Sequence, residues 1–181
     1  MKKSNILIGF LVLFVSSCTS TPEPKKTKNN DSIKTEFLGG GLSIAYDKNG
    51  EFQSITSIST SKVTSTLPSA VEEAIKIATL KARRQIAEFI GTEVKSHRFT
   101  SSISNSLQAS QISDSDDASK IRNTIALKVR ENITQKSNQI LKGTFVKSEK
   151  HDNDKNLVVV TVVSGIGTVG TSEQLKKLFA K

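Results

Sequence analysis

Ala70, Ala74, Ala78 and Ala82 recur at every fourth residue of a segment that also carries Val71, Ile75, Ile86, Phe89 and Ile90. At 3.6 residues per turn this spacing puts the apolar positions on one stripe, so the segment is read as an amphipathic helix. A row of methyl side chains lets a helix lie close on a flat partner, and a sheet is the partner expected. The ends of the helix are marked as well. Ser65 or Thr66 stands where a cap belongs, Pro68 falls in the first turn, Glu72 and Glu73 suit the positive end, and Gly91 stops the run.

Strands are expected on both sides of this helix. Leu42, Ile44 and Tyr46 alternate with polar residues, Asp47-Lys48-Asn49-Gly50 carries an Asn-Gly turn signal, and Phe52 resumes the apolar pattern toward Ile55 and Ile58. These are the parts of a β-hairpin, although the Ser and Thr of 56–66 lead us to expect the second strand to lapse into loop. Further on, Phe145 and Val146 open a strand, His151 to Asn156 form a polar turn, and Leu157 to Val163 read LVVVTVV. An uncharged β-branched run of this kind is expected to be buried on both faces.

The middle of the chain reads less clearly. Thr92 to Ser104 is expected to be extended, with Val94, Phe99 and Ile103 inward, although the spacing of Phe99, Ile103 and Leu107 also fits a helix. A polar loop is expected over 104–115. Asp114, Asp116 and Asp117 then precede Ala118, Ile121, Ile125, Val129, Ile133 and Ile140, one long helix closed by Gly143. Ser172 is expected to cap a last short helix bearing Leu175, Leu178 and Phe179. The order ββ-α-β-α-ββ-α makes an α+β fold, a small, mostly antiparallel sheet covered on one face by two longer helices, with a short C-terminal helix.

Ahead of this domain, Lys2 and Lys3 precede the apolar run Ile6 to Val15, which gives way at once to Ser16, Ser17 and Cys18. A positive n-region, a short h-region and small residues before a cut are the parts of a secretory signal. The run is ten residues long. At about 1.5 Å per residue it covers roughly half of a ~30 Å hydrocarbon core, too little for a stable span. Val15-Ser16-Ser17-Cys18 resembles the bacterial lipobox, in which the cysteine thiol is diacylglycerated, the peptide is cut before it and the new amine is acylated. The alternative is a small residue near an ordinary signal-peptidase site. The only cysteine of the chain stands at that junction, which favours lipidation of Cys18. Thr19 follows where an aspartate would resemble an inner-membrane retention signal, so outer-membrane residence is expected.

The expected organisation is therefore a signal peptide over 1–17, a lipidated Cys18 with a flexible tether over 18–37, and one α+β domain over 38–181. Residues 19–36 hold prolines, lysines and acids but only Ile33 as a clear apolar residue, too little burial to offset ordering. Loss of residues 1–17 takes two lysines and lowers the formal charge from +9 to +7. For a domain outside the cytoplasm this surplus is matched to anionic lipid, lipopolysaccharide or peptidoglycan, and no nucleic acid is expected as partner. There is no Trp and one Tyr, which leaves little for base stacking.

Two motifs resemble ligand sites and fall short. Gly165-Ile166-Gly167-Thr168-Val169-Gly170 fits G-x-G-x-x-G after a strand. The eleven residues after Gly170 do not hold the second strand, or the ribose-binding acid about 20 residues on, that a dinucleotide site needs. Asp152, Asp154 and Asn156 open like a calcium loop, but Leu157 stands where the turn glycine belongs and Val163 where the bidentate glutamate belongs. His97 and His151 have no partner at ligand spacing. Lys76, Lys81, Arg83 and Arg84 share their helix with Glu72, Glu73 and Glu88, a mixed-sign solvated face. No catalytic residue, metal or cofactor is expected, and we read the chain as no enzyme.

The helix form A-x3-A-x3-A-x2-K-A-R-x2-I-A-x2-I from Ala70 to Ile90, following a lipobox and tether, resembles the twenty-kilodalton outer-membrane lipoprotein family that includes FlgP. Ile140-Leu141-Lys142-Gly143, the strand with Val146 and the strand Leu157 to Val163 extend the similarity over roughly residues 40 to 165. The resemblance implies a small α/β domain on the outer membrane, used in assemblies such as flagellum-associated rings, with self-association or envelope proteins as partners. It carries over no site residue besides Cys18. The Ser/Thr-rich stretch 96–119 and the C-terminal helix depart from the pattern.

Overall fold

In a computed structural model, which describes residues 32–110 and 117–165, five strands pair into one antiparallel sheet. They are β1 (Ile33–Phe37), β2 (Leu42–Tyr46), β3 (Phe52–Lys62), β4 (Phe145–Asp152) and β5 (Leu157–Gly165), in the order β1-β2-β3-β5-β4. Four helices lie between β3 and β4 in the chain: α1 (Pro68–Gly91), α2 (His97–Ala109), α3 (Ala118–Gln135) and α4 (Ser137–Lys142). The α+β fold expected from the sequence is what forms. Its expected C-terminal helix lies outside the described residues.

The alanine row does what its spacing predicts. Ala70, Ala74, Ala78 and Ala82 are buried along α1, with Ile86, Phe89 and Ile90 continuing the stripe. Helix α1 packs on β3 and β5. There the inward residues are Ser57, Ser59 and Ser61 on one strand and Val158, Val160 and Val162 on the other, all buried. Small serines opposite methyl groups allow the close approach. The Ser57 hydroxyl also donates to Gln85 Oε1 over 2.7 Å. The expected side-chain cap is absent, since Leu67 is the N-cap residue and carries no capping side-chain bond.

Several expectations are corrected. The five residues Ile33–Phe37, read as the end of the tether, form an edge strand paired with β2. Ile33 and Thr35 alternate inward, and Phe37 rings 4.8 Å from Phe89 and 5.5 Å from Phe99 tie β1 to α1 and α2. The Ser/Thr stretch does not fray. Strand β3 continues to Lys62 because every residue from Ser54 onward pairs with β5, and alternating hydroxylated residues suit a half-buried strand.

Residues 97–109 are helical, neither extended nor loop. Ser96 caps the helix by accepting from the Phe99 N–H at 3.2 Å, and Phe99, Ile103 and Leu107 are fully buried on one side. The four-residue spacing, backed by a cap, wins over the extended reading. The expected single helix up to Gly143 is assigned as α3 and α4, meeting at Lys136. Helical bonding carries on across that residue, from the Lys136 N–H to the Asn132 carbonyl and from the Ile140 N–H to the Lys136 carbonyl. Ile121 is 42% exposed and stands off the core that Val129, Ile133 and Ile140 join.

Strand β5 is interior in the sheet but is not buried on both faces. Val158, Val160, Val162 and Ser164 are buried under the helices, while Leu157, Val159, Thr161 and Val163 on the other face are partly exposed. The reason is architectural: the buried stripes of α1, α2 and α3 join the same core as the inward strand residues, which makes two layers.

Candidate functional site

Cys18, the one residue to which the sequence assigns a modification, lies outside the described residues. Among the described residues, no helix is long and apolar enough to cross a membrane.

The two motif candidates separate in the structure. Asp152, Asp154 and Asn156 sit at the β4–β5 hairpin. There the Lys155 N–H donates to Asp152 Oδ1 over 3.1 Å, and the Lys155 ammonium stands 3.3 Å from Oδ2. These two contacts, the backbone one first, hold the Asp152 carboxyl below its usual range. A carboxylate already neutralised by a neighbouring cation is a weak starting point for a calcium loop, whose ligands must present uncompensated oxygens. Among the described residues, no group of three or more His, Cys, Asp or Glu is placed to hold a metal ion. Of the glycine-rich motif only Gly165 is described. It ends β5 opposite Ser54, where an added Cβ would fall 2.8 Å from the Gln53 carbonyl oxygen. Close backbone packing is thus one reason for that glycine.

The histidines are not brought together as a ligand pair. His97 opens α2, with its ring Nδ1 3.3 Å from the Ser101 hydroxyl. His151 is exposed on β4, opposite Val158. Lys76, Lys81, Arg83, Arg84, Glu72, Glu73 and Glu88 are all exposed on α1. Glu88 accepts from Arg84 at 2.7 Å and keeps that guanidinium more firmly protonated. These residues form the solvated face their mixed signs suggest.

One cleft was not legible in the sequence. A recess of about 150 Å³ is lined by Glu36, Phe37, Leu38, Gly39, Glu93, Arg98 and Ser102. It lies where the β1–β2 connection meets the start of α2. Leu38, Gly39 and Gly40 all have positive φ, 52°, 63° and 89°. A left-handed leucine costs roughly 1–2 kcal/mol, and no sequence signal marks it. The chemistry offered by its lining is one guanidinium, Arg98, two carboxylates, Glu36 and Glu93, and the Phe37 ring. Glu36 is shared with Lys34 at 2.9 Å. The cleft is shallow, and its charged groups are solvated.

The sheet itself offers more surface. Its outer face carries Ile58 on β3, Leu157, Val159 and Val163 on β5, and Phe145 on β4, with Ile58 43% and Phe145 41% exposed. The free edges differ. β4 reads FVKSEKHD and has a register shift between Val146 and Ser148, two devices that discourage edge pairing. β1 is short, and its outer side chains Lys34 and Glu36 pair with each other.

The fold and its surface define an α+β two-layer domain. No known protein family, curated protein or solved structure was found to match the chain.

Proposed function

We propose that this chain is an outer-membrane-anchored lipoprotein with a structural or assembly role in the cell envelope, of the FlgP-like kind and with the flagellar association that the resemblance implies. The observation that carries the reading is Cys18, the only cysteine, standing where a charged-then-apolar leader gives way to two serines. Acyl chains contribute about 0.8 kcal/mol per buried CH2, and more than one chain gives stable attachment. Fourteen residues separate Cys18 from Ile33, and random-coil scaling gives them an r.m.s. reach of roughly 20 Å. The domain would then work close to the membrane that holds it, in periplasm or at the cell surface. The resemblance of Ala70 to Ile90 to the lipoprotein family supports an assembly role.

The test has two parts. Cys18→Ala is expected to abolish palmitate labelling and leave the precursor uncut at that site; unchanged labelling refutes the anchor. Light scattering and cross-linking of the detergent-solubilised protein are expected to give an oligomer or a co-purifying envelope partner, and a strict monomer without one refutes the assembly role.

The formal charge of +7 left once residues 1–17, with Lys2 and Lys3, are removed from the +9 chain favours a second reading, a periplasmic binding module for peptidoglycan, lipid or lipopolysaccharide. A form beginning at Lys25 is then expected to pellet with peptidoglycan or anionic vesicles and to be released by salt.

A further inference from the structure

Strand β5 is composed for a place the helices only half provide. Its run Leu157–Val163 has no charge, as expected of a strand covered on both sides, yet α1 covers only the face of Val158, Val160 and Val162. On the other face the pairing sets Phe145 beside Val163 and Thr56, Thr161 beside Ile58, and Val159 beside Thr60. The result is a patch in which Ile58, Val159 and Val163 lie among threonines on β3 and β5, with Phe145 beside it on β4 and Ser148 and Lys150 further along that strand; its largest side chains, Ile58 and Phe145, remain more than two-fifths exposed.

The chain continues directly from this band. It leaves β5 at Gly165, next to the end where Phe145, Val163 and Thr56 lie side by side. Sixteen residues follow, outside the described ones, and their sequence sets Leu175, Leu178 and Phe179 at helical spacing behind the Ser172 cap. Eight residues of helix extend about 12 Å, the width of two to three strands at roughly 4.8 Å each. The six residues before Ser172 reach up to about 20 Å when extended, which brings such a helix back over the strand that precedes it. A helix this short is marginal in water unless its apolar side is packed. The segment needs a surface and the sheet lacks a cover.

We propose that the C-terminal segment 166–181 docks on the outer face of the sheet, with Leu175, Leu178 and Phe179 against Ile58, Val159, Val163 and Phe145. The domain then has three layers, and the outer apolar face is kept from neighbouring chains on a crowded membrane surface. Association is left to the helices, where Leu80 and Leu127 are exposed. This inference stands apart from the lipid anchor and survives its failure.

The test uses the full chain in detergent. In a Cys18→Ser background, Ile58→Cys with Leu178→Cys is treated with a flexible bis-maleimide. An intramolecular bridge, seen as a monomer with one linker and altered gel migration, is expected. Cross-linked dimers would give the face to a second copy and overturn the proposal, and two separately capped thiols would overturn it as well. Independently, Ile58→Ser and Leu178→Ala are each expected to lower the urea midpoint, while the double variant unfolds no earlier than the worse single one. Additive shifts would sink the docking.

Discussion

The Ser164 hydroxyl donates to the Ile140 carbonyl over 2.7 Å, joining the end of β5 to the last turn of α4. Ser164 is fully buried and Ile140 is 1% exposed, so the bond is sealed from water. The carbonyl is one of those a helix C-terminus leaves without an intrahelical partner. Ser164→Ala strands it in the interior. We expect a loss of about 1–3 kcal/mol, measured by urea unfolding; an unchanged midpoint would mean that another donor reaches Ile140.

The α1–sheet contact makes a second prediction. Ala78 and Ala82 are fully buried where α1 crosses β3 and β5. A larger side chain here has to push the helix away from the sheet. Ala78→Leu is expected to cost about 1–3 kcal/mol through overpacking, whereas Ala87→Leu on the exposed side of the same helix should stay within about 0.5 kcal/mol. Equal effects at the two positions would show that the close approach is unimportant.

The same contact explains what the sequence made legible. Helix α1 was readable because its stripe is long and regular and is bounded by Pro68 and Gly91. Strands β2 and β5 were readable because apolar residues alternate or run without charge. β1 gives no strand signal, since Ile33-Lys34-Thr35-Glu36 holds one apolar residue; pairing with β2 and the Phe37 ring against Phe89 and Phe99 order it. The full length of β3 is not legible because serine reads as loop-forming, whereas Ser57, Ser59 and Ser61 are buried facing the alanine row of α1. α2 was ambiguous because four-residue spacing and extended alternation share Phe99 and Ile103. The cleft around Leu38 depends on positive φ angles that no residue other than glycine announces.

The β2–β3 turn also differs in kind from the expected Asn-Gly turn, with consequences for mutation. Asn49 is not left-handed; the turn is held by Asp47 Oδ1, which accepts from the N–H groups of Asn49 and Glu51, each at 2.9 Å. Gly50 has φ 79°, and an added Cβ would lie 3.0 Å from the Ile125 carbonyl oxygen. Gly50→Ala combines the left-handed penalty of roughly 1–2 kcal/mol with pressure on α3. A destabilisation of about 2–3 kcal/mol in thermal or urea unfolding is expected. A neutral result would indicate that α3 moves freely away from the turn.

The last prediction concerns pH and uses the fact that Tyr46 is the only tyrosine of the chain. Its hydroxyl lies 2.9 Å from the Thr35 hydroxyl in a fully buried site. Burial raises its pKa above the ordinary 10.0, and hydrogen bonds with Thr35 and Ser106 offset only part of that rise. With the folded pKa above the unfolded one, the unfolded chain loses its phenolic proton first. The stability tied to the neutral phenol is therefore complete below about pH 10 and is lost as pH rises through the folded pKa. Tyrosinate absorbance of the folded protein should appear only above pH 10, and the urea midpoint should fall over the same range. Tyr46→Phe leaves the Thr35 hydroxyl without this partner and is expected to cost about 1 kcal/mol at neutral pH. It should also make the alkaline fall of the midpoint shallower than in the parent. If the two proteins lose stability in parallel above pH 10, the buried phenol is not the group responsible.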